Sequence, residues 1–377
     1  MSIQPHLSFI MPGRVAMMAD DIATGSGMGS AEGKMEVMAE ASRVTLKDIA
    51  QRLGLSTATV SRSLSDTGEH RDQTVRLVKE TAKEMGYIRN TAAADLVQGK
   101  SHALAVILSN TKTNFDSSII EGIEQSAAER NLDVLILHAG NADLQAQRRA
   151  ITTAVERAVR GIILVSLELQ ESLIATMEQV GMDCISLSSF VGGGRLPCIT
   201  SDDYQMGYEA TQFLIDQGHR RIGLAGIPEH GSITLRISGY RQCLEDNSIP
   251  YRESLVFRGG CLYQDGIAAM KHCLKSKEPI TALIGASDLV AMGAINQARD
   301  QGLDVPSDVS VMSFDGTDIV DMVRPTITSV TQAFHRMGVE GVKALLSADK
   351  PSSRFLPFKI ISRQSTGPGP YLHNDPK

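Results

Sequence analysis

Four side chains able to hold a polar ligand, Arg236, Ser287, Asp288 and Asp315, occupy equivalent places in this chain, each just beyond an apolar run of strand length. Asp315 follows residues 309–314, Ser287 and Asp288 follow 282–286, and Arg236 opens the helical stretch after the strand that begins at Ile222. Ligands bind outside the carboxyl ends of the strands in open parallel sheets, so topology alone brings these positions to one cleft edge. A guanidinium donates and carboxylates accept, which gives that edge both kinds of hydrogen-bonding partner. Asp288 is expected to cap its helix rather than touch a ligand.

Other chemistries lack their parts. The chain has no GxxxxGK[ST], no HExxH and no GxSxG, and Gly192-Gly193-Gly194 is too isolated to cradle a phosphate and reads as a turn. His219 follows a glycine that ends a helix and reads as structural rather than as a general base. Cys184, Cys198, Cys243, Cys261 and Cys273 show neither CxxC nor Cys/His spacing, so they suit buried, reduced thiols in a cytoplasmic protein. No enzyme, metal or cofactor is expected.

Sheets must hold these positions. Apolar runs at 103–109, 133–138, 161–166, 183–188, 222–226, 282–286 and 309–314 alternate with amphipathic helical patterns such as 119–130, 145–159, 207–217 and 289–301. Continuous Val/Ile/Leu runs with helical connections indicate parallel sheets covered on both faces. The stretch is too long for one core, and a polar, Gly-rich break at 191–195 suggests two lobes with a cleft between them. No uncharged apolar run reaches 18 residues, so no membrane span is expected.

Ahead of this region the texture is different. Leu46, Ile49, Ala50 and Leu53 recur at helical spacing, Gly54 can end that helix, Ser56 can cap a second over 57–64, and a third is expected over 72–85 before Gly86. Two short helices about a Gly turn make a helix-turn-helix unit. Residues 43–100 carry ten Lys/Arg and seven Asp/Glu, a balance of +3 within a chain of net charge -6, so this segment alone suits a phosphate backbone. Residues 1–42 lack periodicity and a continuous apolar segment, and read as a disordered tail rather than a secretory signal.

The run Val44-Thr45-Leu46-Lys47-Asp48-Ile49-Ala50, then Gly54-Leu55-Ser56 and Thr59-Val60-Ser61-Arg62, resembles the DNA-binding head of the lactose-repressor/galactose-repressor family. The match continues through Gly86-Tyr87, Asn90 and Ala93-x-x-Leu96. It resumes as Gly218-His219-Arg220-Arg221-Ile222, Leu235-Arg236-x-x-Gly239-Tyr240, Asp288-x-x-Ala291-x-Gly293-Ala294 and Ser313-Phe314-Asp315. The resemblance covers about residues 43–366. It implies an all-α helix-turn-helix head over 43–89, a hinge helix over 90–100, and an α/β, two-lobed sensor like the periplasmic binding proteins over 101–366. A short tail, 367–377, would lie beyond.

In such a head the second helix enters the major groove, where all four base pairs are distinguishable. Thr57, Ala58 and Arg62 are therefore candidates for base readout, with Arg62 able to grip guanine bidentately, while Thr45, Ser56, Thr59 and Ser61 would hold phosphates. By resemblance, the hinge folds on DNA with Asn90 at its start, and Leu96 wedges into the minor groove. Arg89 stands where relatives often have proline.

By resemblance, Arg236 and Asp315 grip neighbouring hydroxyls of a sugar; Phe115, in the loop after the first strand, either stacks on a sugar face or packs within its loop, and Gln332 and Phe334 lie at a late crossover between lobes. Ser287 departs from the asparagine common in sugar-binding relatives, and Cys261 from a tryptophan; both leave room for a glycoside or disaccharide. The implied protein is a homodimeric repressor of carbohydrate genes, bound to a near-palindromic operator on double-stranded DNA and released by its effector. A co-repressor-dependent regulator of the purine-responsive type is the alternative. A solute-binding protein without a DNA function would need an export signal and no head.

Overall fold

The computed structural model describes residues 44–64, 72–88, 101–109, 114–140, 143–190, 195–275 and 279–370. The chain falls into two compact units, Met1–Arg89 and Asn90–Lys377. The expected tail over 1–42, the whole hinge over 90–100 with Asn90 and Leu96, and the Gly192–Gly194 turn lie outside the described residues.

The first unit contains α1 (Leu46–Leu53), α2 (Thr57–Leu64) and α3 (Asp72–Glu84), close to the helices read from sequence. Gly54 takes the left-handed conformation at φ 65° and turns the chain between α1 and α2. Ile49, Ala50, Val60, Val78 and Ala82 are buried together, with Leu46, Leu53, Leu55 and Tyr87 packed around them. This small core fixes α2 against its neighbours and leaves its other side to solvent.

The second unit has two six-stranded sheets. The first contains β1 (Ala103–Ser109), β2 (Asp133–Ala139), β3 (Ile162–Val165), β4 (Cys184–Leu187), β5 (Cys198–Thr200) and the late β11 (Arg354–Phe355), in the order β11-β5-β4-β3-β1-β2. The second contains β6 (Ile222–Ile227), β7 (Val256–Arg258), β8 (Ala282–Gly285), β9 (Ser310–Asp315), β10 (Thr328–Thr331) and β12 (Lys359–Ile361), in the order β12-β10-β9-β8-β6-β7. Every pairing is parallel except β10 with β12. Strands β1, β3, β4, β6, β8 and β9 are buried almost throughout, which is why they read as unbroken apolar runs.

The helices of the second unit are α4 (Asp116–Ala128), α5 (Leu144–Glu156), α6 (Glu171–Gln179), α7 (Asp203–Asp216), α8 (Leu235–Asp246), α9 (Tyr263–Cys273), α10 (Asp288–Asp300), α11 (Ile319–Met322) and α12 (Phe334–Leu345). Because β5 still belongs to the first sheet, the first crossing between lobes follows Thr200, not the break expected at 191–195. The chain returns after β10 to place α12 on α4, and crosses once more between β11 and β12. The second lobe also runs past residue 366: the Gly369 N–H donates to the Gln217 carbonyl, and Gly367 accepts from His219. His219 is thus a buried structural residue, its other ring nitrogen bonded to the Thr281 hydroxyl, and burial lowers its pKa. Among the described residues no helix is long and apolar enough to cross a membrane.

Candidate functional site

The carboxyl ends of both sheets face a cleft of about 500 Å3 between the lobes. Its walls include Phe115, Ser166 and Ser188 from the first lobe, and Arg236, Ser287 and Asp315 from the second. Seven described non-glycine residues have φ between 49° and 98°, and four of them, Ser166, Ser188, Cys261 and Asp315, line this cleft. Such backbone costs about 1–3 kcal/mol per residue and persists where the surroundings hold it, commonly at ligand sites.

Arg236 lies in the first turn of α8 and is 5% exposed. Its Nε donates to Asp203 Oδ1 at 2.7 Å, a terminal nitrogen donates to the Ala286 carbonyl at 2.9 Å, and the guanidinium lies 4.3 Å from the centre of the Phe314 ring. Burial works against its charge, but the carboxylates of Asp203 and Asp315 outweigh it and raise the pKa. Helix packing sets this position: a Cβ on Gly207 of α7 would come within 2.2 Å of the Arg236 carbonyl oxygen, and one on Gly239 of α8 within 2.0 Å of the Tyr204 carbonyl oxygen. Only glycines let the two helices cross so closely.

Asp315 ends β9 and accepts from Gln332 Nε2 at 3.0 Å. Burial, followed by the nearby Asp288 carboxylate, raises its pKa to about 7 against the opposing pull of Arg236 and Gln332. The cleft edge thus gathers Arg236, Asp315 and Gln332 as expected, and adds Asp203, which sequence reasoning missed.

The neighbouring pair is reversed from expectation. Ser287 caps α10, accepting from the Val290 N–H at 3.2 Å and donating to the Cys261 carbonyl at 2.8 Å. Asp288, expected to cap, instead accepts from the Ser313 hydroxyl at 2.5 Å and from the Thr317 N–H and hydroxyl at 2.7 and 2.8 Å. It pins the loop that carries Asp315. Cys261 lies in the same wall, its thiol pushed up to about 12 by burial.

Phe115 borders the cleft but stacks on Phe334, with ring centroids 4.4 Å apart and planes 9° from parallel. One of its faces is therefore occupied by the crossover residue beside it. The lobes also touch across the rim, where the Phe190 N–H meets the Ser232 hydroxyl at 3.4 Å and Glu168 lies over Gly231.

In the head unit, Thr57, Ala58 and Arg62 are exposed, and the spacings 57/61 and 58/62 put Thr57, Ala58, Ser61 and Arg62 on one side of α2. The expected phosphate-holding hydroxyls also do local work. Ser56 Oγ accepts from the Thr59 N–H at 3.1 Å and lies 2.8 Å from the Thr59 hydroxyl, while the Thr45 hydroxyl and N–H both donate to Asp48 at 2.8 Å. Those bonds hold the amide ends of α1 and α2 in place.

Residues 45–90 match the family described as bacterial regulatory proteins of the lacI family, and residues 101–343 match periplasmic binding proteins and sugar binding domain of LacI family. The chain belongs to the LacI family. As a LacI-family protein it is a DNA-binding transcription regulator with a helical head and a two-lobed α/β domain, and its relatives are regulators rather than enzymes. It is 29% identical to catabolite control protein A of Priestia megaterium, over 86% of this chain and 99% of that protein. It is 30% identical to the regulator CelR of Thermobifida fusca, over 81% of this chain and 91% of that protein. Among solved structures, the lac repressor dimer bound to operator and the anti-inducer ONPF is similar with a TM-score of 0.77 at 25% identity, covering 86% of this chain and 99% of that one. A CelR–cellobiose complex is similar with a TM-score of 0.65 at 26% identity, covering 86% of this chain and all of that one.

Proposed function

We propose that this regulator is a homodimeric repressor of carbohydrate uptake or catabolism genes, released from a near-palindromic operator when a sugar or glycoside fills the cleft. The observation that carries this is the buried Arg236–Asp315 edge: a donor and an acceptor, positioned by Asp203 and Gln332, that together suit adjacent hydroxyls. The similar CelR–cellobiose complex, a regulator holding a disaccharide, supports the assignment.

In this reading Thr57, Ala58 and Arg62 read bases, Thr45, Ser56, Thr59 and Ser61 hold phosphates, and Asn90 and Leu96 belong to the hinge. Phe115 and Ser287 shape the effector's surroundings. Linkage makes the coupling reciprocal, so a ligand that lowers operator affinity must itself bind more weakly to the DNA-bound protein.

The test is fluorescence anisotropy on an operator selected from random duplexes, with and without candidate sugars. Arg62→Ala is expected to lose roughly 1–3 kcal/mol of specific binding while keeping ligand binding. Arg236→Ala is expected to keep operator binding and lose the response. A sugar that tightens operator binding would make the effector a co-repressor instead.

A further inference from the structure

The cleft walls are unequal in what they offer. Carboxylates of Glu168, Asp203, Glu229, Asp288 and Asp315 border the cavity, and Arg236 is the one Lys or Arg among its described lining residues, with His230 beside it. The Arg236 charge already answers Asp203 at 2.7 Å and feels Asp315. Among the described lining residues, that guanidinium is the one full positive charge a phosphate would meet, while carboxylates of both lobes stand against it, and like-charge repulsion grows as the cleft excludes water.

Hydrogen-bonding capacity points the same way. An ionised carboxylate accepts and never donates, and so does an ionised phosphate or carboxylate on a ligand, whereas a sugar hydroxyl does both; Asp315 joins the ionised acceptors as pH rises above about 7. Among the described lining residues of the first lobe, Asn114, Ser166, Ser188 and Ser189 are neutral and polar. Ser166 lines the cavity, and its hydroxyl is buried without a hydrogen-bond partner. The volume of about 500 Å3 lies within the usual range of small-molecule sites and has room for two sugar rings.

We propose that the cleft selects an uncharged disaccharide or glycoside of similar size and rejects the phosphorylated form of the same sugar. This rests on the cleft being the effector site for a sugar. The full chain, titrated calorimetrically with cellobiose, lactose, maltose and sucrose and with the 6-phosphate of each, is expected to bind at least one neutral sugar. Its phosphate should bind at least about 100-fold more weakly, since like-charge juxtaposition costs several kcal/mol. If a phosphate binds as well as its neutral parent, the sugar assignment stands and the charge selection falls. If neither form of any pair binds, both fall together. The double variant Glu168→Gln, Glu229→Gln, its folding checked by thermal melting, is expected to narrow the ratio several-fold; an unchanged ratio overturns the role given to the wall charges.

Discussion

Asp315 titrates where it can matter. An acid whose folded-state pKa is raised from 3.8 to about 7 holds its proton in the native state over that interval, so its contribution to stability is full below 3.8 and is lost as pH rises through about 7. Ligand binding should have the opposite slope, because a sugar hydroxyl donates to the ionised carboxylate. Calorimetric titrations between about pH 5.5 and 8 are expected to show Kd rising as pH falls below about 7, by up to about tenfold per unit, with Asp315→Asn removing the slope. A flat wild-type profile would take Asp315 out of the ligand contact. Arg236 and Asp315 were legible because a long apolar strand marks the loop at its carboxyl end. Asp203 was not, since the strand before it, Cys198–Thr200, has three residues and no periodicity to read. Ser287 and Asp288 are both good caps, and sequence could not settle a register of one residue.

At the scale of elements, the crossing of α7 and α8 decides where Arg236 lies. Gly207→Ala would force a Cβ against the Arg236 backbone, so α8 must shift or the pair must part. Overpacking of this kind costs about 1–3 kcal/mol. The variant is expected to melt at lower temperature and to bind its sugar at least tenfold more weakly, while operator binding without ligand persists; wild-type sugar affinity would show that the crossing does not set the site. The long buried strands and the three head helices could be read almost to the residue. β7, β10, β11 and β12 could not: β10 is Thr-Ser-Val-Thr, and its Thr328 and Ser329 hydroxyls bond within the sheet and its neighbours rather than being announced by apolar periodicity.

For the molecule as a whole, two lobes are legible in the residues but the path between them is not. The 191–195 break has the look of a boundary because glycines and polar residues usually mark linkers, yet the chain still has β5 to add to the first sheet before crossing at residues 201–202. The late crossing at Gln332–Phe334 was given by resemblance and not by any local pattern: α12 packs on α4 through Gly122 and Gly338, and such long-range contacts leave none. Three connections join the lobes, after Thr200, after β10 and between β11 and β12.

That path dictates an order of assembly during translation. Phe334, Met337, Val342 and Leu345 of α12 and the nearby Leu356 fill the interior of the first lobe, so the half that emerges earliest from the ribosome waits for residues made after nearly all of the other half. Stalled nascent chains ending at residue 333 are expected to be cut by protease within 101–200, and chains released beyond 370 to be protected there. Equal protection at both lengths would mean that the early half matures unaided; otherwise a newly made regulator cannot answer its effector until synthesis is almost finished.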